Sequence, residues 1–160
     1  SGNWNSASSD SDGTNLIAGA DSGRLYLSTN SGSSWTETQP AGNTTKRWLS
    51  VASDSDGSVL LAGAWSGRLY LSTNGGTNWT EKQLVGDTNQ YWRGVTSNSD
   101  GSVLLAGING GRLYLSTNSG SAWTETQPAG DVSIGWIIAG SDSDGSVLIA
   151  GGQGKLYIRK

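Results

Sequence analysis

The chain has 160 residues, a net charge of −3 and only 14% charged residues, so it lacks the clustered Lys and Arg that nucleic-acid binding requires. It contains no cysteine, histidine, methionine or phenylalanine. Disulfides, thiolate or imidazole metal sites, and Cys- or His-based catalytic centres are therefore excluded.

The first landmark is Trp4. It recurs as Trp48, Trp92 and Trp136, 44 residues apart each time, and Trp35, Trp79 and Trp123 keep the same interval. Gly23-Arg24-Leu25-Tyr26 returns at Gly67 and Gly111, and as Gly154-Lys155-Leu156-Tyr157 one residue early. The repeats run over residues 4–47, 48–91, 92–135 and 136–160. Within the second copy, Trp48 to Ser53 is a short strand of mixed small and large residues. Asp54-Ser55-Asp56-Gly57 follows, and Asp-Gly between apolar runs is a strong hairpin signal. Ser58 to Ala64 is almost continuously apolar, as for a strand covered on both faces. Ser66-Gly67 turns the chain into Arg68 to Thr73. A second turn, Asn74-Gly75-Gly76, precedes the polar run Trp79 to Leu84, and residues 85–91 lead to the next copy.

Four antiparallel strands in a repeat of this length are the pattern of a propeller blade. The reading is an all-β protein, a single β-propeller domain over residues 1–160 with four 44-residue repeats. Each repeat forms a four-stranded blade, and the last stops at Lys160 before its outer strand. Eight Trp and five Tyr separate this Gly- and Ser-rich chain from disordered ones, which are poor in aromatics. All seven periodic tryptophans are expected in the core between blades. No apolar stretch approaches the ~20 residues of a membrane helix, and the polar, cysteine-free composition suggests a secreted or extracellular protein.

Ser28-Thr29-Asn30-Ser31-Gly32-Ser33-Ser34-Trp35 resembles the Asp-box, S-x-D-x-G-x-T-W, of sialidase-like BNR repeats. Ser72 to Trp79 and Ser116 to Trp123 repeat it. The whole unit is similar to WD40/YVTN/BNR-like repeat proteins. The resemblance implies that the box closes the turn between the third and fourth strands while Trp35, Trp79 and Trp123 pack into the blade. Asn30, Asn74 and Asn118 replace the box Asp, and Asn closes turns in the same way. The box is structural in that family and is no sign of sialidase activity.

Catalysis by a sialidase-like hydrolase would need different groups converging on one point. Arg24, Arg68 and Arg112, with Tyr26, Tyr70 and Tyr114, instead occupy one position in every blade, so no catalytic residue is assigned. The Asp-Ser-Asp-Gly turns at Asp10, Asp54 and Asp142 superficially match the start of a calcium loop, but calcium takes six to eight oxygens, and Asn98 already replaces one Asp. No metal and no cofactor are expected.

Variation between copies concentrates in two loop sets. One is the turn between the second and third strands, with Asp21, Trp65, Asn109 and Gln153. The other is the interblade linker and first strand start, with Lys46, Arg47, Tyr91 and Arg93. Both sets belong at the same end of a propeller, and binding residues favour loops on a rigid scaffold. These eight residues are the candidate ligand contacts of a non-catalytic scaffold binding a protein partner. A lectin-like module using Asp21, Trp65, Tyr91, Arg93 and Asn109 for sugar is the alternative. So is a designed or recently amplified repeat without an evolved ligand. The unfinished fourth repeat leaves two complementary end faces. Four blades closing within one chain, two chains completing an eight-bladed ring, and a piece of a longer array are the open arrangements, with the head-to-tail homo-oligomer favoured.

Overall fold

Each repeat folds in the computed structural model into one antiparallel sheet; the structure describes residues 2–130 and 132–160. The first sheet takes β1 (Trp4–Ser9), β2 (Leu16–Ala20), β3 (Leu25–Ser28) and β4 (Thr36–Thr38) in chain order. The second takes β5 (Arg47–Ser53), β6 (Leu60–Trp65), β7 (Leu69–Ser72) and β8 (Thr80–Lys82). In the third, β9 (Trp92–Ser97), β10 (Leu104–Gly111), β11 (Leu113–Ser116) and β12 (Thr124–Thr126) follow the same order, and β13 (Ile134–Gly135) adds to the end of β10. The fourth has three strands, β14 (Ile138–Ser141), β15 (Leu148–Gly152) and β16 (Lys155–Arg159). No helix occurs among the described residues.

The turns explain why the sheets form where they do. In the first hairpin of the second blade, Asp56 Oδ1 accepts the Ser58 N–H at 2.8 Å and Asp54 Oδ1 accepts the Val59 N–H at 3.0 Å. Gly57 completes the turn at φ 76°, a left-handed conformation that costs glycine nothing. The box closes the other hairpin at the same end. Ser72 Oγ donates to Asn74 Oδ1 at 3.0 Å and accepts the Gly76 N–H at 2.9 Å, while Asn74 Oδ1 accepts the Asn78 N–H at 2.9 Å.

The core lies between blades, in three seams of one design. Ile17, Leu25 and Leu27 of the first blade meet Trp48, Leu60, Ala62 and Tyr70 of the second. Leu61, Leu69 and Leu71 of the second meet Trp92, Leu104, Ala106 and Tyr114 of the third. Leu105, Leu113 and Leu115 of the third meet Trp136, Leu148, Ala150 and Tyr157 of the fourth. A glycine in each second strand lets the next blade's tryptophan approach. A Cβ built on Gly19, Gly63 or Gly107 would stand 2.7, 2.9 or 2.7 Å from the Cβ of Trp48, Trp92 or Trp136. Each of these tryptophans also meets its own blade's tyrosine edge-on, with centroids 5.3–5.8 Å apart.

β1 packs on β5, β5 on β9 and β9 on β14, but no comparable packing joins β14 back to β1. Four propeller blades thus form an open run, and this corrects one sequence expectation. Trp48, Trp92 and Trp136 are core, but Trp4 and Trp35 are exposed, because no blade covers the first one. Two turn residues also differ. Trp65 ends β6 and Asn109 lies within β10, since Arg47 at the start of β5 pairs with Trp65 and Gly135 of the following linker pairs with Asn109.

Candidate ligand-binding face at the loop end of the blades

Backbone pairing brings the two variable loop sets together. Gly23 and Lys46 exchange N–H···O bonds of 2.9 Å, and Gly67 and Gln90 exchange bonds of 2.9 and 2.8 Å. Gly111 pairs with Ile134 in the third blade. Every linker therefore lies against the second-to-third-strand turn of the blade it leaves.

These segments touch in series, through side chains from Asp21 to Tyr91 and through the backbone from Tyr91 to Asn109. Asp21 accepts from Arg47 Nε at 2.7 Å. The Arg47 guanidinium lies 5.6 Å from the centre of the Trp65 ring, within cation–π range. Trp65 and Tyr91 follow with ring centroids 4.4 Å apart and planes tilted by 40°. The Tyr91 carbonyl accepts the Asn109 N–H at 2.9 Å. Beyond Asn109, a Cβ on Gly135 would stand 2.7 Å from Asn109 Oδ1 and 3.7 Å from Gln153 Cγ, so glycine there keeps the next two positions adjacent. Asp21, Arg47, Trp65, Tyr91, Asn109 and Gln153 thus form one stripe. Lys46 is half-buried beside it through its bridge to Gly23, and Arg93 is exposed at the start of β9. Sequence reasoning found these positions as variable loops; the stacking of Arg47, Trp65 and Tyr91 follows no sequence period and emerges only from the pairing.

The repeated polar groups do different work. Arg24 Nη1 donates to the Gly42 carbonyl at 3.1 Å, its Nη2 donates to Asn43 Oδ1 at 2.6 Å, and its Nε faces Glu37 at 3.5 Å. Arg68 repeats this with the Gly86 carbonyl, Asp87 and Glu81, and Arg112 faces Glu125 at 3.6 Å. Each arginine ties the linker or outer strand of its own blade, and the three are not brought to one point. Burial pushes the Tyr70 hydroxyl up to about 12, with the Glu81 charge adding to it, and moves Tyr114 in the same direction. Among the described residues no three Asp or Glu carboxylates gather as a metal site.

Antiparallel four-stranded sheets packed in succession through their inner strands define a β-propeller fold, and solved structures agree. An ancestral GH74 enzyme superposes on 99% of this chain with a TM-score of 0.76 at 21% identity, and the chain spans 23% of that enzyme. The computationally designed Ika4 protein matches over 98% of this chain and 90% of its own, with a TM-score of 0.71 at 9% identity. YCF48 from Cyanidioschyzon merolae matches over 98% of this chain and 55% of its own, with a TM-score of 0.68 at 15% identity. YCF48 has also been solved bound to D1 peptide. At these identities the likeness shows the fold alone. No protein-family model and no curated protein sequence matches the chain.

Proposed function

We propose that the protein is a non-catalytic interaction module that takes a peptide segment of a partner protein across the loop end of its blades. The observation that supports this reading is the unbroken contact series from Asp21 through Arg47, Trp65 and Tyr91 to Asn109. Its composition, an acid, a guanidinium and two aromatic rings, matches the Trp, Tyr and Arg that dominate binding energy at protein interfaces. Its members differ from blade to blade while the scaffold beneath them repeats, so their identities are not needed for folding. A propeller of the same fold, YCF48, has been solved with a peptide, which makes peptide binding a natural use of such a face. The arginines and tyrosines that a sialidase-like mechanism would need serve separate blades, so catalysis is the weaker reading. The Asp-box-like turns are taken as structural on the same ground.

Selection of a displayed peptide library on the chain tests the proposal. Binders should lose at least tenfold in affinity to Trp65→Ala and Tyr91→Ala. A library whose binders ignore both substitutions would reject the stripe as the site. The exposed Tyr91 ring beside Trp65 favours one second reading, a sugar-stacking platform. A glycan array with the same two variants separates it from the first.

A further inference from the structure

The chain carries both halves of a fourth seam, one on each end face. The leading face of the first blade presents Trp4, Ala7, Ala18, Tyr26 and Trp35 around an open concavity of about 1140 Å³. Trp4 is 57% exposed there, whereas Trp48, Trp92 and Trp136 at the same repeat position are 1, 1 and 2% exposed, each covered by the blade before it. The trailing face of the fourth blade presents Ile138, Leu156 and Ile158, exposed by 55, 59 and 56%. Leu156 stands where Leu25, Leu69 and Leu113 are 0, 0 and 2% exposed. A contiguous apolar patch of this kind on a soluble domain marks an interaction surface.

Backbone groups show the same interruption. At the turn end, the Ser11 N–H donates to the Ser55 carbonyl, Ser55 to Ser99, and Ser99 to Ser143, all at 2.9 Å. The ladder begins with the Ser11 carbonyl and stops at the Ser143 N–H. Gly151 holds the place of Gly19, Gly63 and Gly107, the glycines on which the next blade's tryptophan rests.

We infer that the occupant of these faces is a second copy of this chain. Trp4 of one copy packs onto Leu156 and Ile158 of the other, and the Ser143 N–H donates to the other's Ser11 carbonyl. Two copies then close a ring of eight blades through two equivalent head-to-tail seams. A heterologous contact either closes in this way or propagates. The new seam differs from the internal ones in two respects. Ile138 replaces Ser6, Ser50 and Gly94, so the axial part is bulkier and more apolar. With only three strands in the fourth blade, the seam also lacks the outer-rim bond that Trp79 Nε1 makes to Thr38 Oγ1 at 2.9 Å in the first seam, and Trp35 stays uncovered.

Sedimentation equilibrium on the full chain should give twice the 16.5 kDa chain mass. A monomer up to high micromolar concentration overturns the inference, and so does an open-ended polymer series. Leu156→Glu/Ile158→Glu and Trp4→Glu alter residues more than half exposed on the single chain, so each variant should still unfold cooperatively. Each variant alone should be monomeric, with the dissociation constant raised at least about a hundredfold because a carboxylate would enter an apolar seam. Mixed in equal amounts, the two should recover a one-seam dimer. Continued self-association of either variant alone would show a same-face dimer and overturn the head-to-tail arrangement. In a chain without native cysteine, the double variant Ser11→Cys/Ser143→Cys should oxidise to a covalent dimer. A bond formed within one chain would show four-blade closure and overturn the inference.

Discussion

At the turn end of the blades the same contacts recur in copy after copy, whereas at the loop end one position of the second-to-third-strand turn carries a different side chain in every blade. Asp12, Asp56, Asp100 and Asp144 each accept the N–H two residues ahead, and Ser28, Ser72 and Ser116 each hold a box glycine. The loop end carries Asp21, Trp65, Asn109 and Gln153 at one position. The difference lies in what satisfies the backbone. At the turn end, side chains accept the N–H groups of tight turns, so residue type is dictated. At the loop end, Gly23 with Lys46 and Gly67 with Gln90 pair backbone to backbone. The residue types at Asp21, Trp65, Asn109 and Gln153 are therefore not dictated by turn closure, and the proposed binding face draws on them.

Breaking the turn end should cost most. Gly57→Val would place a β-branched residue at φ 76° with its Cβ 2.7 Å from Asn15 Cβ. A loss of about 3 kcal/mol in denaturant unfolding is expected from backbone strain and contact together. Ser116→Ala removes a buried hydroxyl that holds the Gly120 N–H at 2.9 Å, and should cost about 1–3 kcal/mol by the same measurement. At the loop end, Trp65→Ala should cost only about 1 kcal/mol, the order of one aromatic contact, while removing partner affinity. Equal losses at Ser116 and Trp65 would end the proposed division of labour.

The smallest effect sharpens the comparison within the turn end itself. Burial raises the Asp54 carboxyl above its ordinary 3.8, outweighing the bonds from Val59 and Ser58 that lower it. A folded-state value above the unfolded one means that this group's contribution is fully present below the unfolded pKa and is lost as pH rises through the folded one. Asp54→Asn should therefore be nearly neutral in acid and gain in relative stability as pH rises past 4, read from denaturation midpoints. Asn98 already fills this place in the third blade, with its Oδ1 accepting the Val103 N–H at 2.9 Å. A midpoint difference that does not change with pH would count against the burial explanation. The exposed Asp56 moves the other way, lowered by Ser58, so its contribution is lost as pH falls through its folded value.

The fold was legible because its determinants are local and periodic. The spacing of Trp48, Trp92 and Trp136, the Asp-Gly turns and the box all act within a few residues of themselves. The stripe was legible only as variability. Arg47 meets Asp21 across 26 residues and Trp65 across 18, neither of which is a repeat length, so the contacts follow from linker pairing and not from pattern. The exposure of Trp4 and Trp35 escaped for a related reason. Their sequence context resembles that of Trp48 and Trp79, and burial is supplied by a neighbour that a local reading cannot see.

Because each internal seam joins the same two surfaces, inserting or excising one whole unit between the second and third would exchange a contact for its equivalent. Such a molecule can grow or shrink by duplication and loss without waiting for compensating substitutions.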